Sequence, residues 1–325
     1  MTKLKFGLTI PQGWWSDLPT NDPIKQYEFS KKISRSADRL NFYGLYAYDH
    51  FIPHHEYNIN NSFFECFTLL SSISSITKRI RLGQIVTCNS YRNPALLAKI
   101  LSTLDVISKG RVELGIGAGW YQNEYSSYGY NFPSNLERIK QLDESISIVK
   151  AMWKYERASF HGSYFSINKA ICKPYPIQKP HPPIIVGGTG EKYLLKIVAK
   201  HADIYNNPFG SPDDLRKKLA VLKEHCHDLR RCYNDIELSV LLPCIIKESE
   251  KDVLIEIRKC KKKNENISTF LERKSGSYTI GTPEKILIGL QQYINLGITH
   301  FILNFIGLDD NTLDLFNSQV IKKLV

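Results

Sequence analysis

The chain has 325 residues, of which 42% are hydrophobic and 23% charged, the balance of a soluble globular protein with an ample core. No apolar run approaches the roughly 20 residues that cross a bilayer, and seven cysteines without a Cys-x-x-Cys pair indicate neither a disulfide framework nor a zinc site. The net charge of +11, from 43 Lys and Arg against 32 Asp and Glu, favours anionic partners such as a phosphorylated substrate or an acidic cofactor. No DNA- or RNA-binding motif accompanies that charge, so no nucleic-acid partner is expected, and the densest basic run, Arg258 to Lys263, reads as a solvated helix face. Met1 to Pro11 lacks the series of a signal peptide, and a cytoplasmic protein with reduced thiols is expected.

Strand and helix signals alternate along the chain. Phe6, Leu8 and Ile10 make a first strand, after which Asp22 caps a helix with Pro23 at its first position. Leu45 to His50 is a second strand, followed by an apolar helix from about Phe63 to Ile76. Ile80 to Thr87 is a third, and Asn93-Pro94 opens the next helix. The fourth strand lies in Gly110 to Trp120, and Ser134 with Glu137 then forms a capping box for an amphipathic helix to Trp153. Residues 154 to 182, rich in proline, read as an irregular excursion. Ile184 to Val186, Asp203 to Asn206 and Ile236 to Leu242 are strands five to seven. The basic stretch 247 to 277 interrupts the rhythm as a lid or helical insertion. Thr282-Pro283 starts another helix, Thr299 to Phe305 is the eighth strand, and a helix closes the chain.

Eight strands each followed by helix, without repeat or linker, predict an α/β protein with a single (β/α)8 TIM barrel spanning residues 1–325, with insertions after strands 4 and 7. A doubly wound sheet is the other architecture with this rhythm. In a barrel the ligand site lies at the C-terminal strand ends. Tyr48-Asp49-His50, Val86-Thr87-Cys88, Gly115 to Trp120, Gly187 to Gly190 and Asn206-Asn207 converge there.

Gly115-x-Gly117-x-Gly119 strips the fourth strand of side chains at its end, which lets a flat ligand or another backbone approach. It is half of a dinucleotide fingerprint, but Trp120 stands where a small residue is needed and no helix starts there. Gly187-Gly188-Thr189-Gly190, between a strand and a helix, is a phosphate cradle by geometry, or a plain tight turn. His50 is placed to act as general acid or base, with Asp49 to orient it; a structural histidine is the alternative. His50, His54, His55 and Glu56 could make a metal cluster, but they share a loop with Pro53 and not a helical face, so no metal is expected.

Tyr91-Arg92-Asn93-Pro94-Ala95-Leu96-Leu97-Ala98-Lys99, Thr103-Leu104-Asp105-x-x-Ser108-x-Gly110-Arg111 and Gly115-x-Gly117-Ala118-Gly119-Trp120 with Glu124 resemble the central signature of the luciferase-like monooxygenase superfamily. Pro182-Pro183-Ile184-x-Val186-Gly187-Gly188 and Gly281-Thr282-Pro283-Glu284 extend the resemblance over nearly the whole chain. Gly119-Trp120-Tyr121-x-x-Glu124 and Gly190-Glu191-Lys192 are most similar to the branch of coenzyme F420-dependent oxidoreductases. The resemblance implies a TIM barrel, a reduced flavin or deazaflavin, a small-molecule substrate and a homodimer. It places a non-proline cis peptide at Ile85-Val86, the active-site histidine at His50, a cofactor contact at Asn123 and phosphate-binding backbone at Gly187 and Gly188. Ile85, Val86, Thr87, Gly117, Thr189 and Gly190 complete the expected cofactor pocket.

Two positions depart from the pattern. Sugar-phosphate dehydrogenases of the deazaflavin branch carry a catalytic glutamate at the position of Trp120, and bacterial luciferases show Glu-His-His where this chain has Asp49-His50-Phe51. The resulting expectation is hydride transfer with coenzyme F420 to or from a small organic substrate. FMN with monooxygenation is the alternative, and a flavin-binding barrel without turnover, its pocket closed by Trp14, Trp15 and Trp120, is a third reading.

Overall fold

The structure is a computed structural model describing residues 3–15, 17–54, 60–260, 265–274, 276 and 278–325. Eight strands form the barrel: β1 (Lys5–Thr9), β2 (Gly44–Ala47), β3 (Arg81–Gln84), β4 (Val112–Gly117), β5 (Ile184–Gly187), β6 (Ile204–Pro208), β7 (Glu237–Ile246) and β8 (His300–Phe305). Each pairs in parallel with the next, and β8 returns to β1 with His300 beside Lys5 and Leu303 beside Leu8. The closed ring is the expected (β/α)8 barrel and excludes the doubly wound sheet.

Closure buries both faces of the strands, so polar strand residues such as Glu113, Asn206 and Ser239 are buried along with the apolar ones. Phe6, Leu8 and Ile10 pack outward in the core shared with the helices. Tyr46, Ile185, Ile204, Leu241 and Ile302 pack together inside the ring. Tyr46 lies across the lower barrel: a Cβ on Gly7, Gly44 or Gly83 would come within 2.7–2.9 Å of its side chain. Its hydroxyl donates to Glu113 at 2.7 Å, and Glu113 also accepts from Tyr43 and from Arg81 Nε. Burial opposes the charge on Glu113, but Arg81, His300 and the two hydroxyls outweigh it and hold the carboxyl below the usual range. The floor is thus closed by a buried polar network, leaving the opposite mouth for ligands.

Local signals act as their chemistry predicts. Asp22 accepts from Ile24 N and Lys25 N at the start of Pro23–Arg39, and Ser134 with Glu137 makes a reciprocal capping box at Asn135–Lys154. The excursion before β5 is more ordered than expected. Ala158–His161 and Ser166–Ala170 form an antiparallel hairpin whose turn is fixed by Glu144, which accepts from the amides of Ser163, Tyr164 and Phe165. After β7 come the helices Glu250–Cys260 and Ile267–Lys274 and a short strand, Thr279–Gly281, pairing with β7. Arg258 and Lys259 are exposed there, whereas Lys261 to Lys263 lie outside the described residues. Among the described residues no helix is long and apolar enough to cross a membrane.

Candidate functional site

A cleft of about 940 Å³ opens at the C-terminal strand ends. Its walls are Tyr48 to His50 after β2, Ile85 to Cys88 after β3, Gly117 to Tyr121 at the end of β4, and Gly187 to Leu194 at the end of β5. Asn206, Pro208 and Phe209 of the β6 end and Leu241 of β7 complete one side, and Trp14 and Trp15 of the loop after β1 cover it. The volume is at the upper end of the about 300–1,000 Å³ of small-molecule sites, enough for a cofactor ring and a second small molecule.

His50 is held on three sides. Its Nδ1 lies 2.7 Å from Glu124 Oε2, and its ring stacks on Trp14 at 3.6 Å between centroids with planes 10° apart. Trp120 and Tyr121 meet it edge-on at 5.9 and 6.0 Å. Glu124 is fully buried and accepts three further bonds, from Tyr91 Oη at 2.8 Å and from the amides of Phe51 and Ile52 at 2.7 and 3.2 Å. Burial opposes the charge on Glu124, but these donors, with His50 the strongest, hold its carboxyl below the usual range. An ionised carboxylate can only accept, so Nδ1 carries a proton and Nε2 is left to the cleft.

The loop that carries Trp14 is pinned to the barrel. Gln12 takes Tyr48 N on its carbonyl and donates to Tyr48 O and Phe64 O, while Asp17 accepts from the amides of Gln12 and Gly13. Gly13 has φ +105°, and a Cβ there would fall 2.0 Å from Ser62 O.

The glycines of β4 make room for protein. The peptide Ile85–Val86 is cis, at the place the resemblance indicated. A Cβ on Gly115 would lie 1.8 Å from Gln84 O, and one on Gly117 would lie 2.8 Å from Val86 Cγ2. A Cβ on Gly187, at the end of β5, would meet Val86 Cγ1 at 2.7 Å. Val86 is therefore wedged between the ends of β4 and β5. Gly119, at φ +79°, accommodates Tyr125 Oη and Cys88 Sγ.

In the Gly187–Gly190 loop, the Gly188 amide is already bonded to Asn206 O at 3.2 Å. The amides of Thr189, Gly190, Glu191 and Lys192 donate to no acceptor among the described residues. They line the cleft just ahead of the helix Leu194–His201. The unpaired amides of this loop thus begin at Thr189, one residue beyond Gly188.

The sequence profile described as luciferase-like monooxygenase matches residues 4–300. The chain belongs to the luciferase-like monooxygenase family. It is 28% identical over 201 residues to the FMNH(2)-dependent dimethylsulfone monooxygenase of Pseudomonas putida, a match covering 60% of this chain and 54% of that relative. An uncharacterized protein of Mycobacterium tuberculosis is 35% identical over 134 residues, with 41% of this chain and 46% of the relative covered. The chain therefore spans about half the length of these two curated relatives. With the F420-dependent glucose-6-phosphate dehydrogenase of Microbacterium testaceum it is 24% identical over 313 residues, covering 89% and 90% of the two chains. An F420-dependent secondary alcohol dehydrogenase solved with an F420-acetone adduct has the same fold, with a TM-score of 0.82, 20% identity and 98% of each chain covered.

Within this luciferase-like barrel, His50, Ile85, Val86, Thr87, Gly117 and Gly187 to Gly190 all line the cleft. Two expectations need correction. Asp49 does not orient His50: its carboxylate is paired through both oxygens with Arg92, at 2.7 and 2.9 Å, and accepts from Cys88 N. Burial pushes its carboxyl up against the pull of Arg92. Asp49 lines the cleft beside His50, but both of its carboxylate oxygens are taken up by the Arg92 guanidinium and the Cys88 amide. Asn123 is exposed and outside the cleft, because the short helix Gln122–Ser127 turns Glu124 and Tyr125 inward and its neighbours outward.

Much of the family signature is scaffold. Arg111 donates to the carbonyls of Ser74, Thr77, Ile80 and Ser108, capping the end of the helix Cys66–Ile76. Asp105 accepts from the amides of Ile177, Gln178 and Val112, tying the proline-rich excursion to the barrel. His55 and Glu56, weighed above as metal ligands, lie outside the described residues.

Proposed function

We propose that the chain is a flavin- or deazaflavin-dependent oxidoreductase that uses coenzyme F420 in preference to FMN and acts on a small organic molecule. One observation carries this reading: His50, with Nδ1 clamped by buried Glu124 and one face covered by Trp14, presents Nε2 to a cleft large enough for a cofactor and a substrate. The four unpaired amides from Thr189 to Lys192, beside the Lys192 side chain, suit the anionic phosphate that both cofactors carry. Ile85, Val86, Gly117 and Gly187 would wall the ring. When bound, such a group supplies hydride transfer at its ring, and a flavin adds oxygen activation.

The chain's own part is proton handling and exclusion of water. His50 Nε2 gives up or accepts the proton that accompanies reduction or oxidation of the substrate. Glu124 fixes the tautomer, and Trp14 shields the imidazole face. F420 is preferred because the F420-dependent relative aligns over 89% of the chain, whereas the FMNH(2)-dependent one aligns over 60%. The FMN reading, with monooxygenation, retains the support of the higher identity to that second relative, 28% against 24%. A cytoplasmic homodimer without a nucleic-acid partner belongs to the same proposal, by family resemblance.

The test is His50→Ala. The reading expects substrate turnover to fall about 10²–10⁴-fold with cofactor affinity within about threefold of wild type. Equal loss of turnover and affinity, or unchanged turnover, overturns the role of His50.

A further inference from the structure

We propose that Phe209, Trp15 and Trp120 form an aromatic clamp beside His50 that selects an uncharged, planar, conjugated substrate. The inference rests on the functional reading above and deepens it by naming the substrate class.

Phe209 carries the argument. It follows β6 with φ +55°, a backbone region that a bulky residue occupies only at a cost. Its backbone requirement is met without a side chain, since Phe209 N simply extends the β6–β7 ladder to Leu241 O at 3.0 Å. Glycine would fit that conformation better, and the next residue is glycine. Nor does the ring fill the core: Phe209 is 36% exposed, lines the cleft, and meets Trp15 edge-on at 6.0 Å. A strained residue whose ring is spent on a cleft wall points to something that the ring touches.

The opposite lip repeats the pattern. Trp120 is 56% exposed, lines the cleft, and stacks on Tyr121 at 5.1 Å with planes 24° apart. Ring contacts run without a break from Phe209 through Trp15 and Trp14 to His50 and Trp120. Two exposed rings flanking a proton-handling histidine favour a flat apolar molecule, which gains stacking on both lips. The charged groups that line the cleft are engaged or sit in the phosphate loop, where Glu191 lies beside Lys192. Asp49 is locked by Arg92, Lys192 belongs to the anion-binding loop, and the Lys274 ammonium lies 4.4 Å over the Tyr278 ring. A phosphorylated sugar would set a charged, non-planar group against the rings.

The test measures binding of menadione and of glucose 6-phosphate by calorimetry, on protein saturated with whichever of F420 or FMN it binds. Wild type is expected to bind menadione at least tenfold more tightly than glucose 6-phosphate. Phe209→Gly is expected to lose at least tenfold in menadione affinity while its melting temperature stays level or rises, and Phe209→Tyr to keep the affinity. A Phe209→Gly protein that binds menadione like wild type, a fall in its melting temperature, tighter binding of the sugar phosphate, or displacement of menadione by the cofactor overturns the clamp. If neither cofactor binds, the functional reading fails, and the Phe209 comparison on cofactor-free protein still decides the clamp.

Discussion

Replacing Glu124 by glutamine changes the shape of the site least and its chemistry most. Wild-type Glu124 accepts four hydrogen bonds, two of them from backbone amides that cannot reverse. The glutamine carbonyl must therefore stay on Phe51 N and Ile52 N, leaving its NH2 facing His50 Nδ1 and Tyr91 Oη. His50 can then only accept at Nδ1, so its proton moves to Nε2 and the neutral ring loses its basic nitrogen toward the cleft. The Tyr91 hydroxyl loses a charged acceptor, a bond of about 1.5–3 kcal/mol. Turnover is expected to fall about 10²–10⁴-fold, the range for removing a general base, while cofactor affinity changes little. Stability carries a second signature. The folded-state pKa of Glu124 is depressed from the ordinary 4.5, so its contribution is complete above that value and is lost as pH falls through the lower folded value. The melting-temperature gap between wild type and Glu124→Gln should be constant near neutrality and shrink below about pH 4.5. Steady-state rates across pH, cofactor titration and thermal melts at pH 7 and pH 4 supply the readings. Wild-type turnover in the glutamine variant would refute the tautomer argument, and a gap that widens in acid would refute the electrostatic one.

Two further substitutions test the scaffold. Arg92→Met leaves Asp49 buried without its partner and should cost about 3–5 kcal/mol, read from denaturant midpoints; adding Asp49→Asn should recover much of it, and a harmless single variant would contradict the pairing. Gly115→Ala sets a methyl 1.8 Å from Gln84 O, where backbone must move, and should cost about 1–3 kcal/mol or more. An unchanged melting temperature there would show that β3 and β4 are not in the contact described.

The barrel was legible because its signals are local and repeated. Alternating strands such as Phe6-Leu8-Ile10, caps such as Asp22-Pro23 and Ser134 with Glu137, and glycine-ended strands each report their own conformation. The convergence of strand ends on one mouth follows from the topology alone. What sequence could not show is which groups face each other across the fold. Asp49 beside His50 was the natural partner by proximity in the chain, yet the partner is Glu124, 74 positions away. The only signal for it was a carboxylate in the same signature, one residue from Asn123 and on the other face of one helical turn. The β4 glycines left open whether a flat ligand or another backbone approaches them. At Gly115 and Gly117 the second holds, since a Cβ there would meet Gln84 and Val86, a contact between neighbouring strands that no single strand announces. The hairpin after Lys154 was hidden for a similar reason, its turn being fixed by Glu144 from the preceding helix.

The central claim is that the cleft beside His50 holds F420 in preference to FMN. Parallel fluorescence titrations of the purified chain with the two cofactors test it most directly. The account predicts saturable binding of F420, tighter than that of FMN, with both weakened when Gly190 is replaced by proline, which removes one of the four free amides. Tight binding of FMN with none of F420 would contradict it and move the reaction to oxygen chemistry.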